Sequence, residues 1–401
     1  MTSNQLQRSL GLYLVVFYGL GNILGAGIYV LVGKVAGVAG MYTPLAFVVA
    51  CFVASFTALA YAELTAKFPV SAGEAVYVHQ GFGSKHLALF IGLMVAISAA
   101  VSSATIARGF VGYLQVFIDI PAWLAICLLL ITLTSIAALG VKHAVGVAAV
   151  LTLVEITGLL LVIIVGADSF TTIPQRLPEL IPDFSATTII AIMAGGFLAF
   201  YAFLGFEDMV NVAEEVKNPE RNLTMGIILS LIIATLFYAL IALVAVLNVP
   251  PKQLAMSDAP LALVYESATG QRPIIISIIS LFAVVNGALI QIIMIARILY
   301  GMSTQQWLPS FLSTIHPRTN TPVLTTLIVG LIVLLFALIF PLLTLAKVTS
   351  FFILAVFVFV NLALILIRRR SNEKFVYPAW VPYVGLFSSI ALVTFEIINQ
   401  I

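Results

Sequence analysis

Ten stretches of this chain, at 9–33, 35–62, 86–107, 120–141, 184–206, 222–251, 273–296, 319–346, 348–367 and 375–395, run for at least 20 residues without one Asp, Glu, Lys or Arg. An eleventh, at 143–167, is interrupted only by Glu155. A hydrocarbon core about 30 Å thick takes about 20 apolar residues in a helix, so each stretch is long enough to cross a bilayer. Barrel strands would be about 10 residues with alternating polarity, whereas these runs are apolar all round, and helices are expected. Composition agrees: 62% of the residues are hydrophobic and 8% charged, against about 25% charged in an average globular protein. A water-soluble fold is excluded, because its surface would present apolar area far beyond what soluble monomers carry.

Orientation follows from where Lys and Arg collect. With the N-terminus inside, the cytoplasmic connections hold Arg8, Lys67, Lys85, Lys142, Lys217, Arg221, Arg318, Arg368, Arg369, Arg370 and Lys374, and the external ones hold Arg176, Lys252 and Arg272. Lys34, Arg108, Arg297 and Lys347 lie within or at the ends of spans, and snorkelling accounts for Arg108 and Lys347. Eleven spans are odd, so the C-terminus is expected outside a multi-pass protein of the cell membrane. Met1 to Arg8 lacks a cleavage-like site, so the first span reads as retained. The external connections 166–185 and 249–272 hold short helix-compatible stretches, such as Pro260 to Ser267, that fit across the outer face.

The chain reads as one transmembrane domain over 1–401, and the lipid bilayer is its solvent. Its 18 basic and 16 acidic residues balance to +2, which leaves no groove for nucleic acid. Cys51 and Cys127 form no CxxC pattern, and His79, His86, His143 and His316 have no ligand spacing, so neither metal nor cofactor is implied. No clustered nucleophile, paired carboxylates or phosphate loop suggests an enzyme.

Two spans carry signs of a break. Span one holds Gly21-Asn22-Ile23-Leu24-Gly25-Ala26-Gly27-Ile28. Each glycine costs about 1 kcal/mol relative to alanine in a helix interior, so the cluster reads either as an interruption or as a close helix crossing. Span six holds Ala202-Phe203-Leu204-Gly205-Phe206, followed at once by Glu207 and Asp208. Spans one and six are equivalent in a five-plus-five inverted repeat. Unwound backbone in lipid must face a cavity or a ligand. Freed amides attract a carboxylate and freed carbonyls an ammonium group, so a zwitterion fits both.

At these residues the chain resembles the amino acid/polyamine/organocation permeases. Gly25-Ala26-Gly27-Ile28 is similar to their G-S-G-I/V motif, and Phe200 to Glu207 with Ala213-Glu214-Glu215-Val216-Lys217-Asn218-Pro219 to their helix-six signature. Arg297 to Met302, with Leu308-Pro309 and Thr321-Pro322-Val323, resembles the end of helix eight and the loop beyond. Tyr61-Ala62-Glu63-Leu64, Pro69 and Gly73 fit the connection after helix two. The resemblance covers about residues 10 to 370. It implies an all-α membrane protein of the leucine-transporter fold, with repeat one at about 9–167, repeat two at about 184–367 and one additional helix at about 375–399. It also implies alternating access to a central amino acid site. The family's usual twelfth helix has no counterpart among the runs, so a family-like dimer through the last helices is not expected, and the oligomeric state stays open.

The resemblance places a substrate carboxylate on the amides around Gly25, Ala26 and Gly27, and the α-ammonium on the carbonyls of Ile23, Tyr201 and Leu204, with Ala202, Phe203 and Gly205 completing the second break. Ala26 stands where the family has serine, so the carboxylate must rely on backbone groups. Phe203 and Phe206 are gate candidates or packing residues. Glu155 stands alone in span five, where a charge normally faces a cavity or a partner. In proton-coupled relatives a lysine near this point stands in for sodium, and an acid here is a candidate proton carrier; a neutral acid hydrogen-bonded to a carbonyl is the alternative. Glu207 is the second candidate, or a residue that satisfies unwound amides. Of Asn286 and Gln291, at least one is expected to face the pocket, and helix packing is the other reading. The absence of Ser and Thr from 283 to 297 argues against a sodium site.

The function expected is secondary active transport of L-amino acids coupled to protons. Neutral side chains are favoured, since no acid is evidently placed opposite a cationic one. Amino acid exchange is the alternative. A transporter-like sensor is the alternative of another class, and it would need an appendage or docking loop that the sequence does not display.

Overall fold

A computed structural model describes residues 10–68, 73–139, 144–183, 185–210, 216–317, 319, 321–371 and 375–400. Arg8, Pro69, Lys142, His143, Ala213, Glu214, Glu215, Arg318 and Lys374 lie outside the described residues. The expected runs each become one helix or one broken pair. Span one is α1 (Leu12–Leu24) and α2 (Ala26–Ala39), and span two is α3 (Thr43–Lys67). The short α4 (Gly73–Phe82) leads to α5 (Lys85–Leu114), α6 (Ala122–Leu139) and α7 (Ala144–Val165), which are spans three to five. After the short α8 (Ile173–Leu180), α9 (Ala186–Phe200) opens span six and α10 (Pro219–Asn248) is span seven. The short helices α11 (Pro251–Met256) and α12 (Pro260–Thr269) precede α13 (Ile274–Thr304), α14 (Val323–Ile339), α15 (Leu342–Arg370) and α16 (Val381–Gln400), which are spans eight to eleven.

By length and hydropathy, eight described stretches are able to cross a membrane. One of them, Leu12–Lys67, runs 56 residues and contains both span one and span two. At about 1.5 Å per residue it is far longer than a bilayer is thick, and it reverses at Gly40, whose φ of +59° is open to glycine. Span five bends by 46° at its end, and α14 is a shorter apolar helix.

Helices α5 and α13 run past the charges that ended their stretches, to Leu114 and Thr304, and two breaks between neighbouring spans shift from the sequence reading. Helix α2 continues through Lys34, and the break between spans nine and ten falls at Phe340–Pro341 rather than at Lys347. Both lysines are tolerated because each finds partners. Lys34 Nζ donates to the carbonyls of Ala255 (2.8 Å) and Ser257 (3.2 Å) and pairs with Asp258 (3.3 Å), fastening the α11–α12 segment to α2. Lys347 Nζ pairs with Glu396 Oε1 at 2.7 Å, tying α15 to α16. Arg108 does not simply snorkel: it donates to the carbonyls of Ala337 (2.6 Å) and Leu338 (3.0 Å), satisfying the open end of α14.

The packing repeats with a shift of five spans. Helix α3 (two) lies along α10 (seven), α5 (three) along α13 (eight) and α6 (four) along α14 (nine), while the two halves of span one pack on α10 and α9. The first four spans thus each meet their own counterpart from the other repeat, whereas α7 of span five packs on α1 and α13 instead. Around the start of α16 a strap holds the chain. Glu63 on α3 pairs with Arg368 on α15 and accepts from the Val376 amide (2.7 Å), Arg368 also donates to the carbonyls of Tyr377 (3.1 Å) and Pro378 (3.0 Å), and the Phe375 ring lies 4.1 Å under Lys67 Nζ.

Candidate substrate site

The break in span one is a single residue. Gly25 takes φ −43° and ψ −126°, outside helical values, and α2 begins at Ala26 with no side chain capping its first amides. Those amides, at Ala26, Gly27 and Ile28, have no carbonyl one turn back, so the positive end of α2 is left open. In span six α9 tightens into a 3-10 turn at Tyr201–Phe203, after which Leu204 is extended and Gly205 takes φ +123°.

The two breaks pack against each other. A β-carbon on Gly27 would lie 2.5 Å from Ala202 Cα, and one on Gly205 would lie 2.6 Å from the carbonyl of Asn22. Only glycine allows these approaches, so at Gly27 the close-crossing reading and the break reading both hold. Tyr238 on α10 bridges the two, its single O–H shared between the carbonyls of Ile23 (2.5 Å) and Ala202 (2.6 Å). The Ile23 carbonyl, expected to serve an ammonium group, therefore already accepts one bond. Glu207 Oε2 accepts from the Gly205 amide at 2.9 Å, so this acid satisfies unwound backbone.

Between the breaks lies a cavity that leaves about 30 Å³ for the centre of a water-sized sphere, room for a water or two. Ile23, Gly27, Tyr201, Leu204 and Gln291 border it, as do Asn22, Ser102, Ile106, Asp208, Gly287 and Ile290, which the sequence reading did not assign. Gly25, Ala202, Phe203 and Gly205 are not among the described residues that border it. Tyr201 meets the Ser102 hydroxyl at 2.9 Å, so the small-residue face of α5 supplies one wall. Phe203 packs against Phe47 and Tyr238, and Phe206 against Tyr61 and Phe357; both are fully buried and neither borders the cavity. Among the described residues, buried Asn22 Nδ2 and Gln291 Oε1 have no hydrogen-bond partner.

Asn286 and Gln291 divide the two roles foreseen for them. Gln291 reaches the cavity, whereas Asn286 Nδ2 donates to Glu155 Oε1 at 3.2 Å. Glu155 is fully buried, its Oε2 has no partner, and its carbonyl accepts from Tyr29 at 2.6 Å. It stands between α7, α13 and α2, outside the cavity wall. Tyr238 and Asn22 were given no role from sequence because a tyrosine or amide in an apolar run has no spacing that marks it; Asp208 was marked at the second break but not as part of the cavity wall.

A family model described as amino acid permease matches residues 10–401. The chain belongs to this family. The permease is 29% identical over 392 residues to the branched-chain amino acid permease of Bacillus subtilis (strain 168), covering 92% of this chain and 82% of that one. It is 28% identical to the methylthioribose transporter of the same organism, over 96% of this chain and 87% of that one. It is 29% identical to the vacuolar cationic amino acid transporter 4 of Arabidopsis thaliana, over 91% of this chain and 64% of that one. Among solved structures, a Na+-coupled sialic acid symporter in a substrate-bound outward-open state superposes with a TM-score of 0.67 over 99% of the permease and 92% of that chain, at 13% identity. The permease thus has the leucine-transporter fold: two five-span repeats, broken first and sixth spans and one further helix, in a multi-pass membrane protein.

Proposed function

We propose that the permease carries L-α-amino acids by alternating access and that protons drive the movement, with Glu155 as carrier. One observation carries the reading: two broken helices meet at a small cavity bordered by Gly27 in the uncapped first turn of α2 and by Tyr201 and Leu204 at the break in span six. Amides and carbonyls side by side match a zwitterion. The cavity is too small for an amino acid as it stands, so loading requires the helix groups to part, as alternating access does.

Glu155 supports the coupling. One carboxyl oxygen accepts from Asn286 on α13 and the other is without a partner in the core, so it can hold a proton and release it when a route to water opens. The relatives are named for branched-chain amino acids, cationic amino acids and methylthioribose, so likeness alone does not choose the side chain. The preference for neutral side chains rested on seeing no acid opposite one; Asp208 in the cavity wall removes that premise.

The test is uptake into proteoliposomes of purified permease. An inward proton gradient is expected to concentrate labelled amino acid. Glu155→Gln, which keeps the shape of the protonated acid, is expected to retain counterflow exchange and lose accumulation. Uptake that needs sodium and ignores the pH gradient would sink the coupling. Exchange alone, with no response to either ion in the wild type, would make the permease an antiporter.

A further inference from the structure

The cavity wall holds a carboxyl group that the poles common to all amino acids leave unused. Asp208 borders it at 5% exposure, and among the described residues no hydrogen-bond donor reaches its carboxylate. Its electrostatic neighbours are two more buried acids, Glu207 and Glu74, and among the described residues no Lys, Arg or His borders the cavity. Glu207 is occupied by the Gly205 amide, and Glu74 has the Tyr61 hydroxyl at 3.5 Å. Asp208 alone of the three borders the space where a substrate would sit. A buried carboxylate without a partner is unfavourable, and a bound cation removes that cost.

The α-ammonium does not need Asp208, because Leu204, extended just past the 3-10 turn, borders the same cavity with a carbonyl to offer, while the Tyr201 carbonyl already accepts from the Leu204 amide at 3.2 Å. A second unpartnered acceptor does stand there: Gln291 Oε1 on α13. The unpartnered donor, Asn22 Nδ2, lies beside the break in span one, with the amides suited to a carboxylate. One anionic and one neutral acceptor, both lacking donors, match a group with several N–H bonds and a positive charge.

We propose that the permease selects α-amino acids with a cationic side chain, an ammonium or guanidinium held between the Asp208 carboxylate and the Gln291 side-chain carbonyl. This rests on the amino acid transport reading above. An apolar side chain would leave both acceptors desolvated and unpaired, which is how a polar site rejects an analogue of the same shape.

The experiment is competition for uptake into proteoliposomes, using as label whichever of the twenty amino acids accumulates most. Each cationic competitor is paired with a neutral analogue of nearly the same shape: lysine with norleucine, arginine with citrulline. Lysine and arginine are expected to compete at concentrations at least about tenfold below their partners. Asp208→Asn is expected to bring that ratio close to one. Asp208→Asn with Gln291→Glu, which moves the acid across the cavity, is expected to restore it. Equal potency within each pair in the wild type overturns the inference while amino acid transport stands, and it does so even if the variants fail to fold. An undiminished ratio in Asp208→Asn overturns it as well. No uptake of any amino acid overturns the transport reading and this inference together.

Discussion

A side chain at Gly27 has no space to enter, whereas one at Gly25 would meet the carbonyls of Gly21 at 3.2 Å and Asn22 at 4.0 Å. Gly27→Ala is therefore expected to lower stability by about 1–3 kcal/mol, the range for overpacked cores, and to reduce transport with it. Gly25→Ala is expected to cost less stability and to weaken substrate binding more. Thermal unfolding and binding measured on the two detergent-solubilised variants separate the effects. At Glu74, on the short helix outside the spans, burial pushes the carboxyl from the ordinary 4.5 up to about 7. The folded form then holds the proton more tightly across that window, so stability falls as pH rises from 4.5 to about 7 and levels off above it. Glu74→Gln is expected to flatten part of that fall, read as melting temperature at pH 5 and 7.5. The sequence marked both breaks, because glycines and acids in apolar runs are conspicuous. It did not mark which of Glu207 and Asp208 turns to the backbone and which to the cavity, since the reversal at Gly205 destroys the helical phase that would relate them.

Tyr238 joins two elements that sequence alone treats separately. Its hydroxyl serves carbonyls of span one and span six at once. Tyr238→Phe keeps the ring contacts with Phe47 and Phe203 and leaves both carbonyls without that donor. The expected cost is about 1–3 kcal/mol, seen as a lower melting temperature together with slower transport. A variant of unchanged stability would mean that water replaces the hydroxyl. Helix boundaries were legible where glycine or proline stood at them, and not where a charge alone ended a run, since α13 continues through Arg297 to Thr304. They were misplaced at Lys34 and Lys347 because a charge with a partner does not end a helix, and the partners, Asp258 and Glu396, are far away in sequence.

The architecture of the molecule was legible because hydropathy alone counts spans, and because the five-span shift is written into the positions of the two breaks. Orientation is a separate matter, and it is tested by labelling. In a variant lacking Cys51 and Cys127, Lys217→Cys is expected to react only from the cytoplasmic side of sealed vesicles and Arg272→Cys only from outside; both positions are exposed. Labelling of both from one side would show a miscounted span. The last helix offers a practical handle on motion. It is fastened near its end to α15 through Lys347 and Glu396, and at its start the strap binds it to α3 and α15 through Arg368 and Glu63. A helix tied at both ends is carried by whatever its neighbours do. A fluorophore at Phe387, which is 65% exposed on α16, is therefore placed to report in real time how α3 and α15 shift during a transport cycle without touching the cavity.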